Sequence, residues 1–219
     1  MSTLFFKRFL TRPLQVASII PSSPQMIRRI VGKMDFSEPR VIVEYGPGEG
    51  CQTREMVRRM HRDSTLILLE LDPELAGHLR RQFRHNARIH IVNAGADQIM
   101  VELAKLGFSH CDYIISGIPF STMEKNMKRD LLQKTFDALS LKPTSAFIIY
   151  QFTNELRQHA KHFPHAETEY FLPNIPPNFI TVFYKLARNG HNGNGNGRNG
   201  HHKTKREPEH ATAGNGSHH

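Results

Sequence analysis

The sequence predicts an α/β fold with a mostly parallel β-sheet and helices on both of its faces. Short apolar runs alternate with longer amphipathic segments from Arg40 onward, which is typical of repeated strand–helix–strand units. The run Leu66-Ile67-Leu68-Leu69 is apolar throughout, as expected of a strand that is buried on both sides. The 219 residues suffice for one such domain with extensions at its ends.

The same patterns predict the individual elements in chain order. Strands are predicted at residues 41–45, 66–71, 89–93, 113–116, 146–152 and 180–186. Helices are predicted at residues 53–61, 73–84, 98–106, 125–139 and 154–163. An earlier helix is expected to begin near Pro24 and to run to Lys33, because proline is favoured in the first turn of a helix. Asp72 is expected to cap the helix that begins at Pro73.

Composition divides the chain into three parts. Residues 1–34 hold six basic residues and no acid, within a chain of net charge +9. Residues 35–188 carry the strand and helix pattern and form the predicted domain. Residues 189–219 contain no Val, Ile, Leu or Phe and are expected to be disordered. Cys51 and Cys111 have neither a metal-binding nor a disulfide spacing, so a zinc module and a disulfide scaffold are excluded, and a reducing compartment is expected.

The first residues predict a short basic amphipathic helix. One face of this helix is apolar and contains Phe5, Phe6 and Phe9. The basic residues Lys7, Arg8 and Arg12 lie mostly on the opposite face. Such a helix can lie in the headgroup region of an anionic membrane; an ordinary helix packed on its own domain is the alternative. No apolar run approaches the ~20 residues that span a bilayer. We therefore expect a cytoplasmic protein, bound peripherally at the inner face of the plasma membrane.

A glycine-rich turn, residues 46–50, follows the first predicted strand. Gly46, Gly48 and Gly50 allow the backbone to approach a ligand at the carboxyl ends of the strands. The next residues are Cys-Gln-Thr, whereas a mononucleotide-binding loop requires Lys and Ser or Thr. Cys51 also stands where the dinucleotide fingerprint has a small residue, which disfavours NAD.

The spacing Glu44-x-Gly46-x-Gly48-x-Gly50 resembles the first motif of the class I S-adenosylmethionine-dependent methyltransferases. This resemblance implies a Rossmann-like class I methyltransferase fold with seven strands, the last antiparallel, and S-adenosylmethionine as cofactor. It also implies that the glycine turn faces the methionine portion of the cofactor, while Glu44 organises the turn and binds the cationic amino group. Tyr45 and Thr53 are assigned to the same cofactor site.

Two further strand ends belong to the cofactor site that this resemblance implies. Glu70 ends the second strand, and its carboxylate, beside Leu71, would accept hydrogen bonds from the ribose hydroxyls. Members of the superfamily usually have an acid at the position of Gly95, near the adenine amino group. Asp97, two residues later, or the backbone of Ala96 is therefore the candidate for adenine recognition.

The fourth strand leads into a loop that we call the reacting loop, formed by Ser116, Gly117, Ile118, Pro119 and Phe120. It looks like a variant of the Asn/Asp-Pro-Pro-aromatic loop of amine methyltransferases. Carbonyl oxygens of such a loop can hold the hydrogens of an amine whose lone pair faces the methyl group. Ser116 is the candidate side-chain acceptor and Phe120 the candidate aromatic face for a cation. A plain strand-to-helix turn is the alternative, and no metal is expected.

Within the superfamily, the chain resembles the bacterial phospholipid N-methyltransferases, which methylate phosphatidylethanolamine towards phosphatidylcholine. The element Pro21-Ser22-Ser23-Pro24 carries the likeness, which extends over about residues 5–188. It implies a phospholipid substrate, an N-terminal segment attached to anionic lipid, and Pro21, Ser22 and Ser23 at the cofactor or headgroup side. A monomer is expected.

Three other interpretations stay open. An RNA adenine dimethyltransferase has a similar glycine motif and loop, although Ser116 replaces the expected Asn and no helical RNA-binding domain follows the last predicted strand. A methyltransferase of another small molecule is the second alternative. A protein that binds membrane or RNA without transferring methyl groups is the third, because the usual acid is missing at Gly95.

Overall fold

The computed structural model describes residues 23–173 and 177–187, which form a seven-stranded sheet between two layers of helices. The strand order is β3-β2-β1-β4-β5-β7-β6. The strands are β1 (Val41–Tyr45), β2 (Thr65–Leu69), β3 (Ile89–Val92), β4 (Tyr113–Ser116), β5 (Ala146–Gln151), β6 (His165–Phe171) and β7 (Asn178–Tyr184). β1 to β5 are parallel, whereas β7 is antiparallel to both β5 and β6. The predicted fold class is confirmed.

The described part of the chain contains six α-helices, of which the first precedes β1 and the others lie between strands. They are α1 (Pro24–Val31), α2 (Cys51–Arg59), α3 (Pro73–Gln82), α4 (Ile99–Lys105), α5 (Lys125–Ala138) and α6 (Leu156–His159). Asp72 caps α3 as predicted, because its Oδ1 accepts hydrogen bonds from the backbone N–H groups of Glu74 and Leu75. None of these helices is long and apolar enough to cross a bilayer.

Two apolar clusters hold the layers to the sheet. α1, α2 and α3 cover one face, where Met26, Met56 and Leu79 pack with strand residues such as Ile42. α4, α5 and α6 cover the other face with the residues Ile99, Leu103, Leu131, Leu132 and Leu156. The described part of the basic N-terminal segment therefore contributes to the same core as the strands.

The structure corrects several predicted elements. β6 was absent from the six predicted strands because its sequence, HAETEYF, lacks an apolar run and it lies at the margin of the sheet. β7 begins at Asn178, two residues before the predicted start, since Phe171 and Tyr170 of β6 pair with its first residues. The helix predicted at 154–163 is shortened to Leu156–His159, and the turn after it brings Phe163 into the core.

Other ends shift by one or two residues. α2 begins at Cys51 and not at residue 53, because Gly50 is left-handed, with φ +76°, and the helix starts directly after it. β2 and β3 end earlier than predicted, where their chains enter the turns at Glu70 and Asn93. The predicted amphipathic helix at Phe5–Arg12, the residues Pro21 and Ser22, and the predicted tail at 189–219 lie outside the described residues.

Candidate active site

The candidate site lies where the parallel strands end, which we call the carboxyl side of the sheet. Strand order reverses between β1 and β4, and Tyr45 pairs there with Ser116. Ligands of open α/β sheets bind at this switch point. The glycine turn after β1, Glu70 after β2 and the reacting loop after β4 all follow strands that end on this side.

The glycine turn has a backbone that side chains would distort. Gly46, Gly48 and Gly50 have φ values of +61°, +56° and +76°. A Cβ on Gly46 would lie 2.6 Å from Cγ2 of Ile118, so the turn packs directly on the reacting loop. A Cβ on Gly48 would meet no atom within 4 Å. The backbone at Gly48 therefore borders open space, as a surface that receives a ligand must.

Glu70 is tied to the glycine turn. Its Oε2 accepts a hydrogen bond from the backbone N–H of Gly48 at 3.0 Å, and its Oε1 accepts one from that of Asp72 at 2.9 Å. Burial raises the pKa of Glu70, although the hydrogen bonds from the Asp72 and Gly48 backbones act in the opposite direction. The carboxylate thus joins the end of β2 to the turn after β1.

Glu44 lies below the turn and is only 3% exposed. Its Oε2 accepts a hydrogen bond of 2.6 Å from the hydroxyl of Thr53, so the two predicted residues are brought together. Burial raises the pKa of Glu44 to about 8, against a smaller lowering by the Thr53 hydrogen bond. A buried carboxyl of this kind favours a cationic neighbour, because the cation would stabilise its ionised form.

The side chain of Tyr45 does not face this site. It lies in the core, where its hydroxyl is 3.2 Å from Oγ1 of Thr135 and its ring is 6.5 Å from that of Phe147. Only the backbone of Tyr45 belongs to the carboxyl side, and its carbonyl accepts from the N–H of Gly117 at 3.5 Å. The alternation of side chains along β1 explains this, because it directs neighbouring residues to opposite faces.

The end of β3 explains the missing acid at Gly95. A Cβ on Gly95 would collide with Oδ1 of Asp97 and would lie 3.9 Å from Cδ1 of Leu71. The Asp97 carboxylate therefore folds back over the position from which an acidic side chain would otherwise project. Gln98 donates to its Oδ2 at 2.8 Å, while Ala96 is 4% exposed. Leu71, Gly95 and Asp97 form one cluster.

Phe120 does not supply an aromatic face to the site. Its side chain is fully buried, and its ring packs 5.8 Å from that of Phe147 in the layer of α4 to α6. The turn at Pro119 directs the ring into the core, where it removes apolar area from water. The expectation of a cation–π face at Phe120 is therefore wrong.

Ser116 and Ser23 each take a local structural role. Ser116 is fully buried, and its Oγ accepts from the N–H of Ile118 at 3.3 Å, which holds the bend of the reacting loop. The Oγ of Ser23 accepts from the N–H of Met26 at 3.2 Å and so caps α1. Neither contact requires a ligand.

The sequence did not predict two residues that lie beside the reacting loop, Tyr150 and Gln52. The Nε2 of Gln52 donates to the Tyr150 hydroxyl at 2.5 Å. A Cβ on Gly117 would collide with that same hydroxyl, so only glycine fits beneath it. Ser116 pairs with Ile149, so Tyr150 stands level with Gly117, one residue beyond β4. The sequence carries no signal for this register.

Two absences apply to the residues that the structure describes. Within 23–173 and 177–187, no group of three or more His, Cys, Asp or Glu side chains could hold a metal ion. The same ranges contain no helix that could span a membrane.

The strand order, the glycine turn after β1 and the acid after β2 define a class I S-adenosylmethionine-dependent methyltransferase. The residues fit S-adenosylmethionine, the methyl donor of this class, since Gly48 borders open space and two carboxyls flank the turn. The family model for ribosomal RNA adenine dimethylases matches residues 17–137, and the chain belongs to that family.

Individual relatives divide between lipid and RNA enzymes. An ornithine lipid N-methyltransferase of Singulisphaera acidiphila is 32% identical over 144 residues, which are 66% of this chain and 74% of that protein. A ribosomal RNA small subunit methyltransferase A of Mycoplasma capricolum is 28% identical over 132 residues, 58% of this chain. The chain spans only 45% of the length of that second relative.

Solved structures support the fold. The 1,6-didemethyltoxoflavin-N1-methyltransferase of Burkholderia thailandensis, which has S-adenosylhomocysteine bound, superposes with a TM-score of 0.59 at 14% identity. The superposition covers 83% of this chain and 87% of that one. At 14% sequence identity, this superposition shows a shared fold only.

Proposed function

We propose that the protein transfers methyl groups from S-adenosylmethionine to the amine of a lipid headgroup at a membrane surface. The observation that carries the proposal is the similarity to an ornithine lipid N-methyltransferase, of which the chain spans 74%. Phosphatidylethanolamine is the first candidate substrate, because the element Pro21-Ser22-Ser23-Pro24 resembles that of the bacterial phospholipid N-methyltransferases. Ornithine lipid is the second, from this relative. Both lipids present a primary amine.

The cofactor side of the proposed site is formed by residues at the ends of β1, β2 and β3. Glu44 would bind the amino group of the donor from below the glycine turn, and Glu70 would accept hydrogen bonds from the ribose. Leu71, Ala96 and Asp97 would surround the adenine. S-adenosylmethionine supplies the electrophilic methyl group.

The reacting loop and Tyr150 would orient the amine. A primary alkyl amine exists mostly as the ammonium ion at neutral pH. One proton therefore leaves to solvent before the nitrogen lone pair can attack the methyl group. The carbonyl of Gly117 and the oxygen of Tyr150 would accept the remaining N–H hydrogens and align the lone pair with the methyl carbon. Gln52 supports this role because its amide orients the Tyr150 hydroxyl.

Methylation of an RNA adenine is the second candidate, and membership in the ribosomal RNA adenine dimethylase family favours it. An exocyclic adenine amine needs the same pair of acceptors as a lipid amine. It also needs a base stacked against the loop, and Phe120, the aromatic residue of the loop, is buried in the core. This difference supports the lipid over the RNA.

The experiment compares the candidate substrates side by side. Protein and methyl-labelled S-adenosylmethionine are incubated with vesicles containing phosphatidylethanolamine, vesicles containing ornithine lipid, or ribosomal RNA. We expect label in a lipid, and at a donor concentration below Kd about tenfold less or lower when Gly48→Ala replaces the wild type. Label in the RNA with unlabelled lipids would refute the proposed function.

A further inference from the structure

The end of the hairpin formed by β6 and β7 lies on the same side of the sheet as the candidate site. β7 is antiparallel to both β5 and β6, so β6 runs in the direction of β5 and ends on the carboxyl side. Glu169, Ile180 and Tyr150 stand in one row across the three strands. The hairpin end therefore extends beyond the row that contains Tyr150.

This hairpin end exposes large apolar side chains. Leu172 is 66% exposed and Tyr170 is 53% exposed. The ring of Tyr170 packs on that of Phe179, its partner in β7, with centroids 4.8 Å apart. Leu172 directly follows Phe171, the last residue of β6, so both exposed side chains lie at the same end of the hairpin. Neighbouring exposed apolar side chains make this end of the hairpin a candidate interaction surface.

The end of the hairpin, beyond Glu169, also lacks charged residues. The sequence contains no Asp, Glu, Lys, Arg or His between Glu169 and Lys185. A charged side chain makes entry into an interfacial layer costly, because the charge must be desolvated. Tyrosine and leucine favour such a layer, since the ring and the aliphatic chain leave water while the hydroxyl stays hydrated.

The nearest charge on the hairpin is neutralised by α1. Glu169 accepts two hydrogen bonds of 2.7 Å from Arg29 and one of 2.8 Å from Lys33. These bonds hold the hairpin against the helix that follows residues 1–22, for which the sequence predicts membrane attachment.

We propose that the hairpin end, formed by Tyr170, Leu172, Pro173 and Phe179, inserts into the headgroup zone of a lipid bilayer. This contact would turn the carboxyl side of the sheet, with the reacting loop, towards the lipid headgroups. The inference rests on the proposed function for its purpose. Its physical basis is the exposed, charge-free apolar surface on the side where substrate must enter.

The test compares exposed leucines on opposite sides of the sheet. Leu172→Ser, alone and with Tyr170→Ser, removes the proposed contact. Leu141→Ser is the matched control, because Leu141 is 73% exposed and precedes β5 on the amino side. Binding is measured by sedimentation with vesicles of phosphatidylcholine and with vesicles that also contain phosphatidylglycerol.

We expect the double variant to lower vesicle binding roughly tenfold, as the loss of apolar burial predicts, and Leu141→Ser to bind like the wild type. The ratio should persist at high salt, because an apolar contact is not screened, whereas binding through basic residues weakens. Equal binding by the double variant and the wild type would overturn the proposal. So would a wild-type dimer that the double variant converts to monomers.

Methyl transfer to a detergent-dispersed lipid amine is measured in parallel. A hairpin-dependent vesicle contact without any methylated lipid would refute the proposed function and leave the membrane contact standing. Methylated lipid together with vesicle binding that does not depend on the hairpin would support the proposed function and refute the membrane contact.

Discussion

At Gly48, adding one methyl group should weaken cofactor binding without preventing folding. Gly48 and Gly107 both have positive φ, +56° and +82°, and a Cβ on either would meet no atom within 4 Å. Gly48 lies at the candidate site, whereas Gly107 follows α4 on the amino side. We expect Gly48→Ala to lower the affinity for S-adenosylmethionine at least about tenfold, since a 1.4 kcal/mol clash suffices. Gly107→Ala should leave the affinity unchanged in calorimetry.

The paired glycine variants also control for backbone strain. Each alanine adopts a left-handed conformation that costs about 1–2 kcal/mol, so both variants should lose similar stability in denaturant unfolding. If Gly48→Ala binds the donor like the wild type, the cofactor does not lie against this turn.

Tyr150 is the residue whose hydroxyl we expect to act on the substrate amine. Tyr150→Phe should lower kcat for lipid methylation about tenfold or more and leave donor affinity within about twofold, because the lost oxygen faces the amine. Tyr113→Phe is the matched control, since its buried hydroxyl accepts from Asp35 N–H at 3.1 Å and lies on the amino side. Equal kcat in both variants would assign Tyr150 a packing role only.

Glu44 makes the stability of the donor-free protein depend on pH. Its pKa is raised from 4.5 to about 8, so between these values the folded state retains a proton that the unfolded state has lost. The free energy of unfolding therefore falls as pH rises through this window, by at most about 1.4 kcal/mol per pH unit for one proton. Glu44→Gln should flatten this fall, measured by urea unfolding at several pH values.

Outside this pH window, the contribution of Glu44 to the free energy of unfolding does not change with pH. Below pH 4.5 both states are protonated, and above pH 8 both are ionised, so the contribution of Glu44 is constant there. The variant should be the more stable protein at pH 8 because it buries no charge. An identical slope in the wild type and Glu44→Gln would contradict the burial of this carboxyl.

At the scale of elements, Glu169 joins α1 to β6. Its pKa is lowered, first by the hydrogen bond from Arg29, so its stabilising effect is present above about pH 4.5 and lost as pH falls through the folded pKa. Arg29 is 57% exposed and the pair is screened, so Glu169→Gln should cost only about 0.5–1 kcal/mol at neutral pH.

Hydrogen exchange can localise the effect of Glu169→Gln. The amides of α1 should exchange faster in the variant, while those of β1 and β4 stay protected, because only the first element loses a partner. Unchanged exchange in α1 would show that its apolar residues alone hold it to the sheet.

The elements differ in how well the sequence predicted them. Apolar runs predicted β1 to β5, and polar capping predicted the start of α3 at Asp72. β6 was missed because a strand with one neighbour needs no continuous apolar run. Phe120 was assigned to the wrong environment, since sequence spacing does not reveal which way a ring turns after a proline. Tyr150 required the register between β4 and β5, which only tertiary structure supplies.

At the scale of the whole molecule, the site depends on elements that are distant in sequence. The glycine turn, Glu70 and the reacting loop follow three different strands, and Glu70 and Ile118 both contact the turn. A ligand held by all three would bind only the folded chain. Such a ligand raises the free energy of unfolding by mass action.

The donor should therefore stabilise the entire described domain and not one loop. At a donor concentration of about 100 Kd the gain is about 2.7 kcal/mol, which corresponds to a rise in Tm of roughly 5–10 °C for a domain of this size. Scanning calorimetry measures the shift, with ATP as a control ligand that shares the adenosine but carries a triphosphate. Gly107→Ala should show the full shift and Gly48→Ala at most about half of it, because a tenfold weaker affinity leaves a gain of about 1.4 kcal/mol. A full shift with ATP, or with Gly48→Ala, would mean that the ligand stabilises the protein from somewhere other than the glycine turn.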